Sequence, residues 1–355
     1  MGTQPFHRNS LSLFMTLHLS DTDPRLAQLQ TWLTHAAPSV RVDTLRPASS
    51  DASFRRYFRA DTTDGNTLII MDAPPPQEDV RPFIQVAGVF ANTGVTVPQI
   101  LAQDVDSGFL LLSDLGSTTY LNQLTSDTAH KLYIDAIDAL ILLQTQSKPG
   151  ILPEYDRVRL SQELQLFPEW YLGKHLNVTL TDADQAVLTK TFDTLLANNL
   201  AQAPVFVHRD YHSRNLMVLG TGNPGILDFQ DAVYGPLTYD LVSLLRDAYI
   251  QWDEEIVLDW AIRYWEKAKR AGLPVSPDVD AFYRDFEFMG LQRHLKILGI
   301  FARLNYRDGK DAYLKDIPLV LEYVFKTARR YTAFTPLVRL LERLENAAPK
   351  FGYTF

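Results

Sequence analysis

The residues best equipped for chemistry lie close together in the chain. One segment reads His208-Arg209-Asp210-Tyr211-His212-Ser213-Arg214-Asn215, and a short apolar run further on ends in Asp228-Phe229-Gln230. Asp210, Asn215 and Asp228 offer oxygen atoms of the kind that take a proton from a hydroxyl or ligate a hard divalent cation. His208, Asp210 and His212 alternate, so on a strand they would share one face, where imidazole and carboxylate could bind zinc. That arrangement leaves Asn215 and Asp228 without a part. The plainest reading makes them ordinary strand-end turn residues, favoured there by local hydrogen bonds to the backbone.

The flanking sequence says what would hold these groups. Pro204-Val-Phe-Val precedes His208, Asn215 opens Leu-Met-Val-Leu219, and a turn at Gly220 to Gly225 leads into Ile226-Leu227. These are short β segments set within a chain that is otherwise helical in period from Ser126 onward. Ser126 or Asp127 is positioned to cap a long helix running to about Gln146. Upstream the pattern differs. A helix is predicted from Pro24 to about Ala36, and a β-hairpin joins Ser53–Ala60 to Thr67–Met71 through Asp64-Gly65. A helix from Val80 to Thr93 and strands over Val95–Ala102 and Gly108–Leu112 follow. The expectation is an α+β chain: an extension over 1–20, a small β-sheet lobe with helix over 21–112, a hinge at 113–119 and a mainly α lobe over 120–355.

At 355 residues there is length for two such bodies, each with its own core. A net charge of −8 excludes the basic stripe that a nucleic-acid or anionic-membrane surface needs, so a small-molecule partner is expected. The absence of cysteine rules out disulfides and thiolate metal sites, which suits a reducing cytoplasm. The apolar run Leu11–Leu19 contains His18, is short for a signal peptide and lacks a clear cleavage site, and no segment is long enough to span a bilayer. Residues 1–14 read as a disordered extension ahead of Met15.

The pattern H-x-D-x-x-x-x-N followed by Asp228-Phe-Gln resembles the catalytic and metal-binding loops of the protein-kinase superfamily, in the form used by aminoglycoside and sugar phosphotransferases. The resemblance implies a bilobal protein-kinase-like fold, with ATP and Mg2+ as cofactors. Asp210 would position or deprotonate the attacking hydroxyl, while Asn215 and Asp228 ligate the magnesium that bridges the phosphates. Tyr234-Gly-Pro-Leu-Thr-Tyr-Asp240 resembles the following segment, in which an aspartate braces the catalytic loop; Asp240 matches it and His208 joins it as a structural group. Phe109-Leu-Leu-Leu-Ser-Asp-Leu-Gly116 resembles the strand and hinge whose backbone binds adenine, at Ser113, Asp114 and Leu115. Asp240 could equally be a first-turn carboxylate favoured by the helix dipole.

Two features depart from the superfamily. No lysine occurs before Lys131, although the third strand, here Leu68-Ile-Ile-Met-Asp72, normally carries one for the nucleotide phosphates. The cluster Ser53-Phe-Arg-Arg-Tyr-Phe-Arg59 supplies substitutes: Arg55 and Arg59 share one strand face, Arg56 occupies the other, and guanidinium grips phosphate as a fork. Where a glycine-rich loop is expected, Pro47-Ala-Ser-Ser-Asp-Ala-Ser53 has no glycine, leaving Ser53 and its neighbours to cap phosphates. The same absences also fit a non-catalytic nucleotide-binding regulatory module.

Ile70-Met-Asp-Ala-Pro-Pro75, Glu163-Leu-Gln-Leu-Phe-Pro-Glu-Trp170-Tyr and Gln292-Arg-His-Leu-Lys-Ile-Leu-Gly299 narrow the resemblance. They look like the bacterial N-acetylmuramate and N-acetylglucosamine anomeric kinases of cell-wall recycling, over nearly the whole chain from about residue 24. That family phosphorylates the anomeric hydroxyl, and its sugar 1-phosphate passes to a nucleotidyltransferase. His212, Arg214 and Asp231, with Trp170 as a stacking face and Arg293 or His294 near a substrate carboxylate, are the substrate-binding candidates. A kinase of the same fold acting on an aminoglycoside, a choline-like alcohol or another sugar is the alternative.

Overall fold

Asp23 starts the first helix by accepting hydrogen bonds from the amides of Arg25 and Leu26, and Pro24 suits the first helical position because it has no N–H to satisfy. The resulting helix α1 (Pro24–Ala36) turns Leu26, Leu29 and Leu33 inward. The structure, a computed structural model, describes residues 23–50 and 54–347. The expected extension over 1–20 and Ser53 lie outside the described residues. Two compact units form, one from the described residues up to Val80 together with Ile100–Asp114, the other from Arg81–Gln99 and Leu115 onward.

The first unit is a five-stranded sheet with α1 against it. Its strands are β1 (Arg46–Ser50), β2 (Arg56–Asp61), β3 (Thr67–Asp72), β4 (Ile100–Asp104) and β5 (Phe109–Ser113), in the order β1-β2-β3-β5-β4. The β2–β3 hairpin pairs Asp61 with Thr67 across a turn in which Gly65 adopts φ 86°, a conformation that side-chain-bearing residues resist. Phe58, Ala60, Ile70, Phe109 and Leu111 meet the leucines of α1 to form the core. Two expectations are corrected. Residues 47–50, the first part of the 47–53 segment read as a phosphate loop, belong to strand β1, paired antiparallel with β2, because residues there find backbone partners on its edge. The predicted strand over Val95–Ala102 begins only at Ile100.

In the second unit α2 (Arg81–Thr93) sets Phe83 and Phe90 on Phe229, with ring centroids 4.8 and 5.8 Å apart. Compactness thus groups residues 81–99 with the helical unit, whereas the sequence reading joins them to the sheet. A short α3 (Tyr120–Gln123) precedes the long helix expected from Ser126 to about Gln146, which is present as α4 (Ala129–Thr145). Thr125 and Thr128 exchange hydroxyl and amide hydrogen bonds at the break, in place of a Ser126 or Asp127 cap. Next come α5 (Arg157–Leu166), a π-helical stretch (Phe167–His175) and α6 (Asp182–Ala201). The strands β6 (Pro204–Val207), β7 (Leu216–Met217), β8 (Gly225–Ile226) and β9 (Val233–Pro236) form two antiparallel pairs, β6 with β9 and β7 with β8. The remaining helices are α7 (Tyr239–Leu245), α8 (Glu254–Arg270), α9 (Val279–Tyr306), α10 (Ile317–Arg330) and α11 (Thr335–Ala347).

Helix α9 is buried on every face from Phe286 to Gly299 and packs against α5, the π-helical stretch, α7 and α10. Close approach is set by Gly299: a Cβ placed there would lie 2.4 Å from the carbonyl carbon and oxygen of Leu166. Alanine ordinarily favours a helix over glycine by about 1 kcal/mol, but here the backbones must separate. Gly299→Ala is therefore expected to destabilise the protein by about 2 kcal/mol or more, measured as a lowered urea midpoint with an unchanged slope; a neutral or stabilising effect would contradict this packing.

Candidate active site

The apolar strand β6 is pinned to β9 through Val207 opposite Val233 and delivers His208 directly into the catalytic segment. The chain then turns sharply, and Arg209 adopts φ 78°, a left-handed conformation that is costly for a side-chain-bearing residue. Asp240, in the first turn of α7, accepts hydrogen bonds from the amides of His208 at 2.6 Å and Arg209 at 3.0 Å. Burial raises the Asp240 carboxyl to about 7, against the lowering effect of those two amides.

The ring of His208 holds two stretches of chain. Its Nδ1 accepts from the amide of Asp210 at 3.2 Å, so Nε2 carries the proton and donates to the carbonyl of Leu227 at 2.9 Å. Asp228 follows at once with φ 61°. The loop also closes upon itself, because the Asp210 carbonyl accepts from the Asn215 side chain at 3.0 Å and from the His212 amide at 3.0 Å. Leu227 donates its amide to the Asn215 carbonyl at 2.9 Å, and β7 and β8 pair Leu216 with Ile226. Asp210, Asn215 and Asp228, separate in sequence, are thereby brought together, with the Asn215 amide nitrogen 3.4 Å from the Asp228 carboxylate.

Both nitrogens of His208 are thus committed, and among the described residues no cluster of three or more His, Asp or Glu side chains could hold a metal. The zinc arrangement is removed, because the chain leaves its strand at His208 and the alternation stops. Asn215 and Asp228 instead form an oxygen donor pair. The Asn215 carboxamide turns its nitrogen towards Asp228 and the Asp210 carbonyl, leaving its oxygen outside the described hydrogen bonds. Oxygen-only donors of this kind suit a hard cation such as magnesium. Gln230 steadies Asp228 through a hydrogen bond of 2.8 Å.

Much of the charge around Asp210 comes from a network of Arg209, Glu163 and Lys296 to which sequence reasoning gave no role. Glu163 of α5 accepts from Arg209 at 2.6 Å and from Lys296 of α9 at 2.9 Å, and the Tyr155 hydroxyl also donates to it. Lys296 donates as well to the Tyr239 hydroxyl at 3.0 Å. Burial pushes the Glu163 carboxyl up, but Lys296 and Arg209 outweigh it and hold it below its ordinary range. Burial likewise opposes ionisation of Asp210, and Lys296, His212, Arg293 and Arg209 prevail, so it too sits low. Asp210 is therefore an ionised carboxylate near neutrality. None of the described hydrogen bonds ends on its carboxylate oxygens, which leaves them able to accept from a hydroxyl. A lone lysine in the apolar run of α9 and a glutamate within Glu163-Leu-Gln-Leu-Phe were the signals that could have located this network.

The other substrate candidates fall into different settings. His212 meets Tyr249 edge to face with centroids 5.5 Å apart, and its buried Nδ1 has no partner. Arg214 stacks over the same Tyr249 ring at 3.6 Å. Asp231 is exposed, and its carboxylate accepts from Gln230 at 3.4 Å. Trp170 is half-buried on the π-helical stretch, and none of the described hydrogen bonds or ring contacts involves it. His294 is buried, donates from Nε2 to the Arg246 carbonyl at 3.0 Å and stacks on Tyr323, which makes it part of the helical core.

In the first unit, the arginines proposed for phosphate are engaged with carboxylates. Arg56 bonds Asp72 through Nε at 2.9 Å and Nη2 at 2.6 Å, and Asp23 through Nη1 at 2.5 Å. Arg25, which sequence reasoning overlooked, bonds the other oxygen of Asp72 at 2.7 Å. Arg59 forms a fork with Asp114 at 2.6 and 3.0 Å, and Thr67 donates to Asp114 at 2.7 Å. Arg55 stands 4.0 Å from Glu78. Ser113 ends β5, and Leu115 begins the other unit.

Fold and site together define a protein-kinase-like phosphotransferase. A choline kinase from Streptococcus pneumoniae shares the fold with a TM-score of 0.61 at 12% identity, over 84% of this chain and 98% of that one. An ADP-bound aminoglycoside phosphotransferase superimposes with a TM-score of 0.58 at 14% identity, over 84% and 97%. Residues 44–273 match the model of the phosphotransferase enzyme family, and the chain belongs to that family. It is 52% identical to the N-acetylmuramate/N-acetylglucosamine kinase of Neisseria meningitidis serogroup B, over 93% of this chain and 99% of the relative. It is 49% identical to the kinase of the same description from Pseudomonas aeruginosa, over 92% and 98%. No described helix is long and apolar enough to cross a membrane.

Burial depresses the His208 imidazolium to about 4 from an ordinary 6.5, so the ring is neutral at physiological pH. Its contribution to stability is complete above pH 6.5 and is lost as pH falls towards 4, amounting to about 3 kcal/mol. Asp240, raised to about 7, opposes this within the same interval, since its protonation favours the folded state as pH falls. The clean readout is the His208 ring itself: its NMR resonances should stay constant through pH 6.5 and move only near 4. Titration near 6.5 would mean that the ring is not held as described.

Proposed function

We propose that this enzyme transfers the terminal phosphoryl group of ATP to the anomeric hydroxyl of N-acetylmuramate, N-acetylglucosamine or both, giving the sugar 1-phosphate. The observation that carries the reading is the ionised Asp210, held on a strained turn beside the oxygen pair of Asn215 and Asp228. The names of the relatives that match more than nine-tenths of the chain support the choice of sugar.

In this reading the Asp210 carboxylate accepts the hydrogen bond of the acceptor hydroxyl and orients it for in-line attack. The proton moves to Asp210 as the new oxygen–phosphorus bond forms and the bond to the leaving ADP oxygen breaks. Because the carboxyl is held low, orientation outweighs early deprotonation in its contribution. Asn215 and Asp228 would hold magnesium, which when bound supplies positive charge to the phosphate oxygens. Asp240 and His208 keep the loop in register, while Glu163 holds Arg209 and Lys296, whose charges stabilise the anion at Asp210.

Arg55, Arg56 and Arg59 of the sheet unit are assigned to the phosphates, and Ser113, Asp114 and Leu115 to adenine, as part of the same proposal. Ion pairing of Arg56 and Arg59 does not remove their positive charge, and each keeps part of its side chain exposed. The proposed organisation is 21–112 for nucleotide, 113–119 as connector and 120–355 for catalysis and substrate. A cytoplasmic setting and a nucleotidyltransferase that consumes the sugar 1-phosphate complete it.

The test is ADP release with ATP, magnesium and each sugar, with phosphorus NMR to locate the new ester. Asp210→Asn should lower kcat by about a thousandfold or more with little change in the KM for ATP. Normal turnover by that variant, or a phosphate found away from the anomeric carbon, would overturn the assignment it addresses.

A further inference from the structure

Among the described residues, Arg293 is a buried charged group with two side-chain nitrogens left without a hydrogen-bond partner. It lies on α9, only 4% exposed, and the two nitrogens are Nε and Nη1. Lys296 lies three positions further along the same helix and hence on the same side, where it bonds Glu163 and Tyr239. The Arg293 guanidinium itself stands 6.0 Å from the centre of the Tyr239 ring. Its charge acts on Asp210, Asp240, His212 and Tyr249, which locates it within the surroundings of the catalytic carboxylate.

A buried guanidinium with idle donors is costly unless something completes it. Apart from Asp210, whose oxygens are kept for the acceptor hydroxyl, the buried carboxylates of this network are already taken: Glu163 by Arg209 and Lys296, Asp240 by two backbone amides, Asp247 by the amide and hydroxyl of Ser213. His212, which also faces Asp210 electrostatically, has an idle buried Nδ1, so the missing partner sits among polar groups that the chain has left unmatched. The partner that suits a planar fork of N–H donors is a carboxylate.

We propose that Arg293 binds the carboxylate of the acceptor sugar and so sets its preference between the two candidates. This rests on the sugar kinase reading above. N-acetylmuramate carries a carboxylate on its lactyl ether and N-acetylglucosamine has none, so a group that reads this anion separates them at the site where Asp210 receives the hydroxyl. The competing role for Arg293 is to offset the charges of Asp210 and Asp240, which would serve both sugars alike.

The experiment is kcat/KM for N-acetylmuramate and for N-acetylglucosamine in the parent protein, Arg293→Gln and Arg293→Lys. The ratio of muramate to glucosamine activity should fall about 100-fold in Arg293→Gln and partly recover in Arg293→Lys, which keeps the charge but loses the fork. An equal loss on both sugars, with the ratio unchanged, overturns the assignment and leaves the kinase reading standing. Failure of the parent to release ADP with either sugar removes both. Should the variants not fold, the parent alone decides: the neutral carboxamide of N-acetylmuramate should be used about 100-fold less well than the acid, and equal use of the two overturns the proposal.

Discussion

The amides of His208 and Arg209 both donate to one buried carboxylate, that of Asp240, and the loop carrying Asp210 and Asn215 is arranged around this contact. It holds the chain in a turn that Arg209 would not adopt unaided, with φ 78°, and the turn in turn aims Asp210. Once the turn is held, the His208 ring reaches both the Asp210 amide and the Leu227 carbonyl, so the loop and the residue before Asp228 move as one body. The strain is local, whereas the restraints come from α7, β6 and β8. Precise placement of a reacting carboxylate depends on restraints of this kind, since small displacements cost large factors in rate.

Electrostatics completes what the backbone begins. Without compensation, a carboxylate held close to Asp240, inside a helical body, would resist ionisation. Glu163 solves this indirectly: it neutralises part of the charge on Arg209 and Lys296 and fixes both where their remaining field favours the Asp210 anion. Such a buried network is a weak source of net stability, because desolvation offsets most of the attraction. Its value lies in orientation and in the protonation state of Asp210.

The sheet unit has a charged network of its own. At the end of β3 stands Asp72, fully buried, gripped by Arg25 and Arg56. A carboxylate thus anchors two guanidinium groups at the end of β3. Arg25 comes from α1 and Arg56 from β2, so the pairing ties the helix to the sheet as well as concentrating positive charge. Arg59 and Asp114 repeat the arrangement at the other end of the hairpin.

The sequence alone determined the α+β class and the hairpin around Asp64-Gly65, because apolar period and turn chemistry are local properties of the chain, while the grouping of Asp210, Asn215 and Asp228 was implied by the resemblance of their segments to kinase loops. Tertiary structure decided what depends on partners distant in sequence. Arg46–Ser50 became a strand since β2 offered it an edge, and α2 joined the helical unit since Phe83 and Phe90 found Phe229. A glutamate and a lysine in apolar runs mark Glu163 and Lys296 as groups in need of partners, but do not reveal that the two meet each other across more than a hundred residues, nor that Arg293 would be buried with idle donors. A side chain's charge is written in the sequence, but its desolvation and its counter-ion are set only when helices from different parts of the chain pack together.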